Sequence, residues 1–152
     1  MTSAYEDIYS RFYLRVEDYN IVGLEEKLVK EMMNGWLRAT LSNTYVRRLF
    51  ETLTIDDDVE ELEYTMKFPV SDSEDQDFVE EVLAIGMVVQ WLSPKYHSTL
   101  NTAQFFSNSD QKYYSQANHM AELKDMYHRA KNDLRKMIRD RGYINNSYIA
   151  ET

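Results

Sequence analysis

The chain has 152 residues with four glycines, two prolines and no cysteine, and 43% of it is hydrophobic and 28% charged. That is the size and composition of one domain around one core, disfavouring long disorder and low complexity, and the lack of cysteine removes disulfides, thiol nucleophiles and thiolate metal sites. A formal charge of -9 argues against tight binding to nucleic acid, whose phosphates reward a cationic face. No apolar run reaches the roughly 18 residues of a membrane span, and the N-terminal MTSAYEDIYS lacks the basic and apolar regions of a signal peptide. The expectation is a soluble, unprocessed chain that does not meet a membrane.

In chain order, Ser3 stands three residues before Glu6, the capping-box spacing, and is expected to open a first helix whose inner face is Tyr5, Ile8, Phe12 and Val16. Asp18 to Gly23 makes the exit. A second helix is expected from about Leu24 to Ser42, with Leu24, Leu28, Met32 and Trp36 or Leu37 inward. Gly35 in its middle costs about 1 kcal/mol relative to Ala and suggests close approach of another backbone. Tyr45 to Leu53 is expected to continue helical after a bend near Asn43.

The period then changes. Leu62, Tyr64, Met66 and Phe68 alternate with Glu61, Glu63, Thr65 and Lys67, a two-residue repeat that predicts an extended arm or short strand near residues 61–68. With no second clear strand in the sequence, it is expected to lie along helices or to pair with a copy in another subunit. Ser71 and Glu74 repeat the capping-box spacing. They open an almost wholly apolar helix through Val82, Leu83, Ile85, Met87, Val88 and Val89 to Leu92, expected to be the buried centre and to stop before Pro94. A polar link, Ser98 to Asn108, leads to the last helix.

That last helix, Tyr113 to Arg141, organises the chain. Met120, Leu123, Tyr127, Ala130, Leu134 and Met137 follow at spacings of three and four, one seam flanked by Met126 and Ile138. Its length, about 44 Å at 1.5 Å per residue, exceeds a small domain. Gly142 is expected to cap it, leaving a tail. The fold class is therefore mainly α: a helical bundle around a long C-terminal helix, residues 1–142 forming a single helical domain and 143–152 a C-terminal docking tail.

Chemistry-bearing patterns are sparse. The acidic run Asp56, Asp57, Asp58, Glu60, Glu61 and Glu63 lacks the glycine and terminal glutamate of an EF-hand, and a solvated loop explains it better than calcium. His119 and Glu122 occur in the wrong order, and only once, for a paired di-metal motif. His97 and His128 have no partner identifiable from sequence. There is no Gly-x-Ser-x-Gly elbow and no phosphate-cradling glycine loop. The expectation is no enzyme and no cofactor. From His128 to Arg141, six Lys or Arg face two Asp, a local +4, so the rest of the chain carries -13. The basic end complements the helix dipole and also suits an acidic neighbour. Tyr143, Ile144, Tyr148 and Ile149 are the anchors that interfaces favour.

The segment Tyr114-Ser115-Gln116-Ala117-Asn118-His119-Met120 through Lys136-Met137-Ile138-Arg139-Asp140, with Trp91-Leu92-Ser93-Pro94 ahead of it, resembles head-tail connector proteins of tailed bacteriophages of Gram-positive hosts, also called adaptor or head-completion proteins. The likeness covers about residues 75 to 142. It implies a virion protein made in the host cytoplasm and assembling as a ring, commonly of twelve, beneath the portal protein. The ring would extend the DNA channel without sequence-specific binding and offer a platform to the next neck or tail-completion protein. The resemblance also implies portal docking by a terminal segment, here Tyr143, Ile144, Tyr148 and Ile149. Ring closure needs two complementary faces, for which Arg129, Arg135, Arg139 and Arg141 against Asp56, Asp57 and Asp58, with Tyr64 and Met66 of the arm, are the expected subunit interface. The alternatives are another neck or tail-completion protein, or a cytoplasmic helical interaction or regulatory module.

Overall fold

A computed structural model describes residues 1–16, 24–103 and 110–144, with side chains as far as residue 97 and again from 119 to 142. Among these residues the order is β1 (Thr2–Ala4), α1 (Tyr5–Arg15), α2 (Glu26–Leu41), α3 (Thr44–Arg47), β2 (Phe50–Asp56), β3 (Glu61–Met66), α4 (Asp72–Ala103) and α5 (Asp110–Ile144). The chain is mainly helical, with a long C-terminal helix and a strand at residues 61–66, as its periodicities predict, and that strand belongs to a small sheet. The exit at Asp18 to Gly23 lies outside the described residues.

α4 is the hub, packing on α1, α2 and α5, and Val79, Val82, Leu83, Ala84 and Met87 are almost wholly buried. That is where a helix apolar on most sides must go. On α1, Tyr5, Ile8, Phe12 and Val16 are buried as expected. On α5 the predicted seam faces inward, with Leu123, Ala130 and Leu134 buried.

The sheet departs from expectation. Its order is β1-β3-β2, antiparallel throughout, with Ser3 opposite Leu62 and Ile55 opposite Leu62 on the other side. The predicted arm is thus the central strand, covered on both edges, and no edge of it remains to pair with another copy. Centrality explains why only β3 alternates cleanly: Leu62, Tyr64 and Met66 all point into the core. β2 replaces the helix expected to reach Leu53. Its inward residues Leu53 and Ile55 are only half buried, and a bulge between Phe50 and Thr52 breaks its period.

Ser3 is not a helix cap. It lies in β1 with its side chain buried, while the Tyr5 N–H at the start of α1 donates to Glu60 O at 2.9 Å. The hairpin turn supplies the acceptor that a cap would otherwise provide. Ser71 does cap α4: its hydroxyl accepts from the Glu74 N–H at 3.4 Å and donates to the Glu74 carboxylate at 3.0 Å.

The inner face of α2 is Val29, Met33, Leu37, Thr40 and Leu41: Leu37 is buried as one of the two expected alternatives, but Leu24, Leu28 and Met32 are exposed and their places are taken by Val29 and Met33. The close approach expected at Gly35 occurs instead at Gly86 of α4, where an added Cβ would overlap the Thr40 methyl. Gly35 itself has open space around it. Gly35→Ala should therefore stabilise the fold by about 0.5–1 kcal/mol through helix propensity alone, a gain that a urea-unfolding midpoint would read.

Two further boundaries differ. α4 continues through Pro94 to Ala103, although an internal proline costs about 3 kcal/mol. Beyond it, Tyr96 stacks on Tyr127 of α5 at 5.3 Å between ring centres, packing that holds the segment helical. α5 runs past Gly142 to Ile144, so Gly142 is not a C-cap. The polar link expected from Ser98 is helical as far as Ala103, and residues 104–109 lie outside the described ones.

Candidate interaction surfaces

Polar side chains first fix how the sheet sits on the helices. The Glu80 carboxylate, 4% exposed, accepts from Ser3 Oγ at 3.0 Å, from Gln76 Nε2 at 3.0 Å and from Arg11 Nε at 3.2 Å. Ser3 Oγ also shares a hydrogen bond with the Tyr64 hydroxyl at 3.0 Å. Arg11 reaches Asp77 at 2.7 Å and Glu81 at 3.3 Å, and Arg15 pairs with Glu81. Three hydrogen bonds satisfy Glu80, so it is a structural carboxylate joining β1, α1 and α4.

Half of the acidic run, Asp57, Asp58 and Glu60, is the β2–β3 turn, and Asp56, Glu61 and Glu63 lie on the strands beside it. Asp56 Oδ1 accepts from the Asp58 and Val59 N–H groups at 3.0 and 3.3 Å, an Asx turn, and Glu60 takes a positive φ of 56°. Asp57 accepts from the Tyr5 hydroxyl at 2.8 Å and Asn34 Nδ2 at 3.3 Å, and pairs with Arg38. The Tyr5 hydrogen bond, then Asn34 and Arg38, hold the Asp57 carboxyl below its ordinary range. One member of the expected interface is thus engaged inside its own chain.

Burial, with the Glu60 and Asp57 carboxylates behind it, pushes the Tyr9 hydroxyl up to about 12, and burial with the Asp57 hydrogen bond raises Tyr5 further. Raised folded-state values keep these phenols neutral. Their contribution is whole below the unfolded value of about 10 and is lost as pH climbs from there toward 12. Each tyrosine should remove about 1.4 kcal/mol of stability per pH unit in that window. Urea unfolding at pH 9 to 11.5 should show the slope, and Tyr9→Phe should reduce it without removing the share that Tyr5 contributes.

The remaining expected interface residues separate into two groups. Tyr64 and Met66 are 0% and 6% exposed and belong to the core, so they cannot meet a neighbour. Arg141, 9% exposed, pairs with the fully buried Asp75 and donates to Phe68 O at 3.3 Å. Its expected acidic counterpart is found in its own chain. Arg129, Arg135 and Arg139 do lie on the outer face of α5: Arg129 bonds Asp125 at 2.6 Å, Arg139 lies 3.7 Å from Asp140, and Arg135 stands 5.7 Å over the Tyr45 ring. Lys124 and Lys136 on that face have no ion-pair partner among the described residues. Neither do the exposed Glu51, Asp56, Asp58, Glu61 and Glu63 of the hairpin.

Two features were not legible in the sequence. A cleft of about 520 Å³ lies between α1 and α2 at the hairpin turn, with Glu6, Glu26, Lys30 and Glu60 around Tyr9 and Met33. His97 and His128, without a visible partner in the sequence, meet in an aromatic cluster with Tyr96 and Tyr127 that joins α4 to α5. Among the described residues no three His or carboxylate groups converge as metal ligands, and no helix is long and apolar enough to cross a membrane. Tyr148 and Ile149 lie outside the described residues; of Tyr143 and Ile144 only the backbone, at the end of α5, is described.

No family model, no curated protein and no solved structure matches this chain.

Proposed function

We propose that this chain is a structural assembly subunit, specifically a head-tail connector subunit of a tailed phage that forms a ring at the portal and extends its DNA channel. The observation that carries the reading is the division of unpaired surface charge between two elements. Residues 51–81 hold thirteen carboxylates against Lys67, a net of -12, while residues 128–141 hold a net of +4. Internal partners take up Asp57, Glu60, Asp75, Asp77, Glu80 and Glu81; of the seven carboxylates left, Glu51, Asp56, Asp58, Glu61 and Glu63 lie on the β2–β3 hairpin and Asp72 and Glu74 at the start of α4, while α5 carries the unpaired Lys124 and Lys136. Two unlike, complementary patches are what a head-to-tail interface requires, and such an interface closes into a ring when its rotation allows. A strongly acidic chain also suits a conduit, because a wall that repels phosphate lets DNA slide where a basic one would hold it. The exposed Leu28 and Met32 of α2, with Leu24 just before it, add an apolar surface for a neighbour to cover. It equally favours the alternative of a helical interaction module that takes a partner helix.

Reversing Arg135 and Lys136 together to Glu should leave stability within about 1 kcal/mol, since both are exposed, yet abolish self-association in sedimentation. Cryo-electron microscopy of particles from a phage encoding the chain tests the specific role. A ring of this fold between portal and tail is expected; particles whose neck is complete without it would remove the connector reading.

A further inference from the structure

The cleft of about 520 Å³ between α1 and α2 has an apolar floor and an acidic rim. Val29 and Met33 are buried beneath it, while Glu6 and Glu26 stand exposed at its edge, neither with an ion-pair partner among the described residues. Glu60, a third carboxylate on the wall, has Lys30 at 3.8 Å, so three carboxylates face one lysine. Both ends of the cleft are acidic. Tyr5 meets Asn34 and Arg38 at Asp57, whereas Tyr9, one turn later, shares the cleft wall with Lys30, one turn earlier on α2, so the helices run antiparallel. Glu26 precedes Asn34 by eight residues. It therefore lies about 12 Å along α2 from the end that holds Glu6.

Tyr9 gives this acidic edge a use for a ligand. Three tyrosines among the described residues are buried. The hydroxyls of Tyr5 and Tyr64 bond Asp57 and Ser3, but that of Tyr9, whose residue is 8% exposed, has no hydrogen-bond partner. Tyr9 lines the cleft, and after burial it is the Glu60 carboxylate on the same wall that raises its hydroxyl most. Buried hydroxyls are normally bonded, so the cleft holds an unused polar group between carboxylates at either end.

We propose that this cleft binds a linear aliphatic polyamine, its methylene chain on Val29 and Met33, its terminal ammonium groups at Glu6 and Glu26, and an inner amine N–H donated to the Tyr9 hydroxyl. Aliphatic stems lie on apolar surface while their charged heads stay at a polar rim. An anion would meet three carboxylates and one lysine, and a neutral apolar molecule would leave the rim unanswered. A quaternary ammonium has no N–H for Tyr9. A single lysine side chain brings one ammonium to a cleft that is acidic at both ends. The proposal does not rest on the connector reading, whose charged patches lie elsewhere.

Calorimetric titration of the full chain with spermidine at low ionic strength tests it, and one saturable site per chain is expected. Tyr9→Phe and Glu26→Gln should each weaken binding about tenfold, the worth of one hydrogen bond to a charged group. Glu51→Gln makes the same charge change at the far end of the hairpin, outside the cleft, and should leave the affinity unchanged. Choline and N-acetyl-lysine amide should each bind about tenfold more weakly than spermidine or less. Tyr9→Phe removes a hydroxyl that no protein group uses, so its urea midpoint at pH 7 should match that of the parent chain. Absence of a saturable site would overturn the proposal, as would equal loss of affinity in Glu51→Gln, which would reduce the binding to overall charge. So would parent-like binding by Tyr9→Phe, or equal affinity for the lysine amide, which would make the occupant a partner's side chain.

Discussion

Arg141→Met is expected to cost about 3–5 kcal/mol, the range for breaking a buried ion pair from one side. Asp75 is wholly buried, and removal of the guanidinium would leave its charge inside the protein with only the Val70 N–H, at 3.0 and 3.2 Å, to compensate. Arg141→Lys should recover only part, because an ammonium restores a cation for Asp75 but not the guanidinium plane that packs 4.8 Å over the Phe78 ring. Adding Asp75→Leu to Arg141→Met should recover part of the loss, since a buried pair replaced by apolar groups is often near neutral. Recovery stays incomplete because the Val70 N–H then loses its acceptor, worth about 1–3 kcal/mol. Urea midpoints of the three variants at pH 7 check the order. Equal stability of Arg141→Met and the parent chain would show that the pair does not tie α5 to the start of α4.

Gly86→Ala has the second large effect, and its sign depends on two opposed magnitudes. Helix propensity favours alanine by about 1 kcal/mol. Against this, the new methyl would sit far inside contact distance of the Thr40 methyl, with Thr40 Oγ1 and Cβ at 3.1 and 3.2 Å. Thr40 is 1% exposed, its hydroxyl is bonded to Trp36 O at 2.8 Å, and a β-branched side chain in a helix has few rotamers to move into. Overpacking of this kind costs about 1–3 kcal/mol, so a net loss of about 1–2 kcal/mol is expected, opposite in sign to Gly35→Ala. Thr40→Ser keeps the hydroxyl and removes the clashing methyl, so in the Gly86→Ala background it should restore most of the loss.

The contrast between these glycines marks how far the sequence could be read. Helical periodicity located α1, α4 and α5 and the buried seam on α5, because long amphipathic runs carry many residues of one signal. It placed Gly35 at a close contact and was silent on Gly86, since only packing decides which helical glycine meets a neighbour. The stripe Leu24, Leu28 and Met32 has the same spacing as Val29, Met33 and Leu37, and pattern alone does not say which of two apolar stripes on one helix turns inward. β1 spans Thr2–Ala4 and β2 is half exposed, so neither carries enough alternation to outweigh the helical pattern beside it. Ser3 had the spacing of a cap but a partner, Glu80, seventy-seven positions away.

Among the expected interface residues, charge type was legible and commitment was not. Arg141 and Arg129 look alike in sequence, yet one is sealed against Asp75 while the other lies on the outer face of α5. Tyr64 and Met66 were read as free because their strand had no visible partner, and β1 and β2 supply two. What survives as available surface is narrower than sequence suggested: the acidic hairpin turn, the outer face of α5 and the apolar stripe on α2.

The mass of the native full chain in solution as ionic strength rises tests the central claim most directly. Opposed charged faces attract across a Debye length of about 10 Å at 0.1 M salt but only about 3 Å at 1 M. A closed assembly of one defined multiple of 18.1 kDa is therefore expected at low salt, falling to single chains as salt increases. A mass of 18.1 kDa at every protein concentration and every ionic strength would contradict the account.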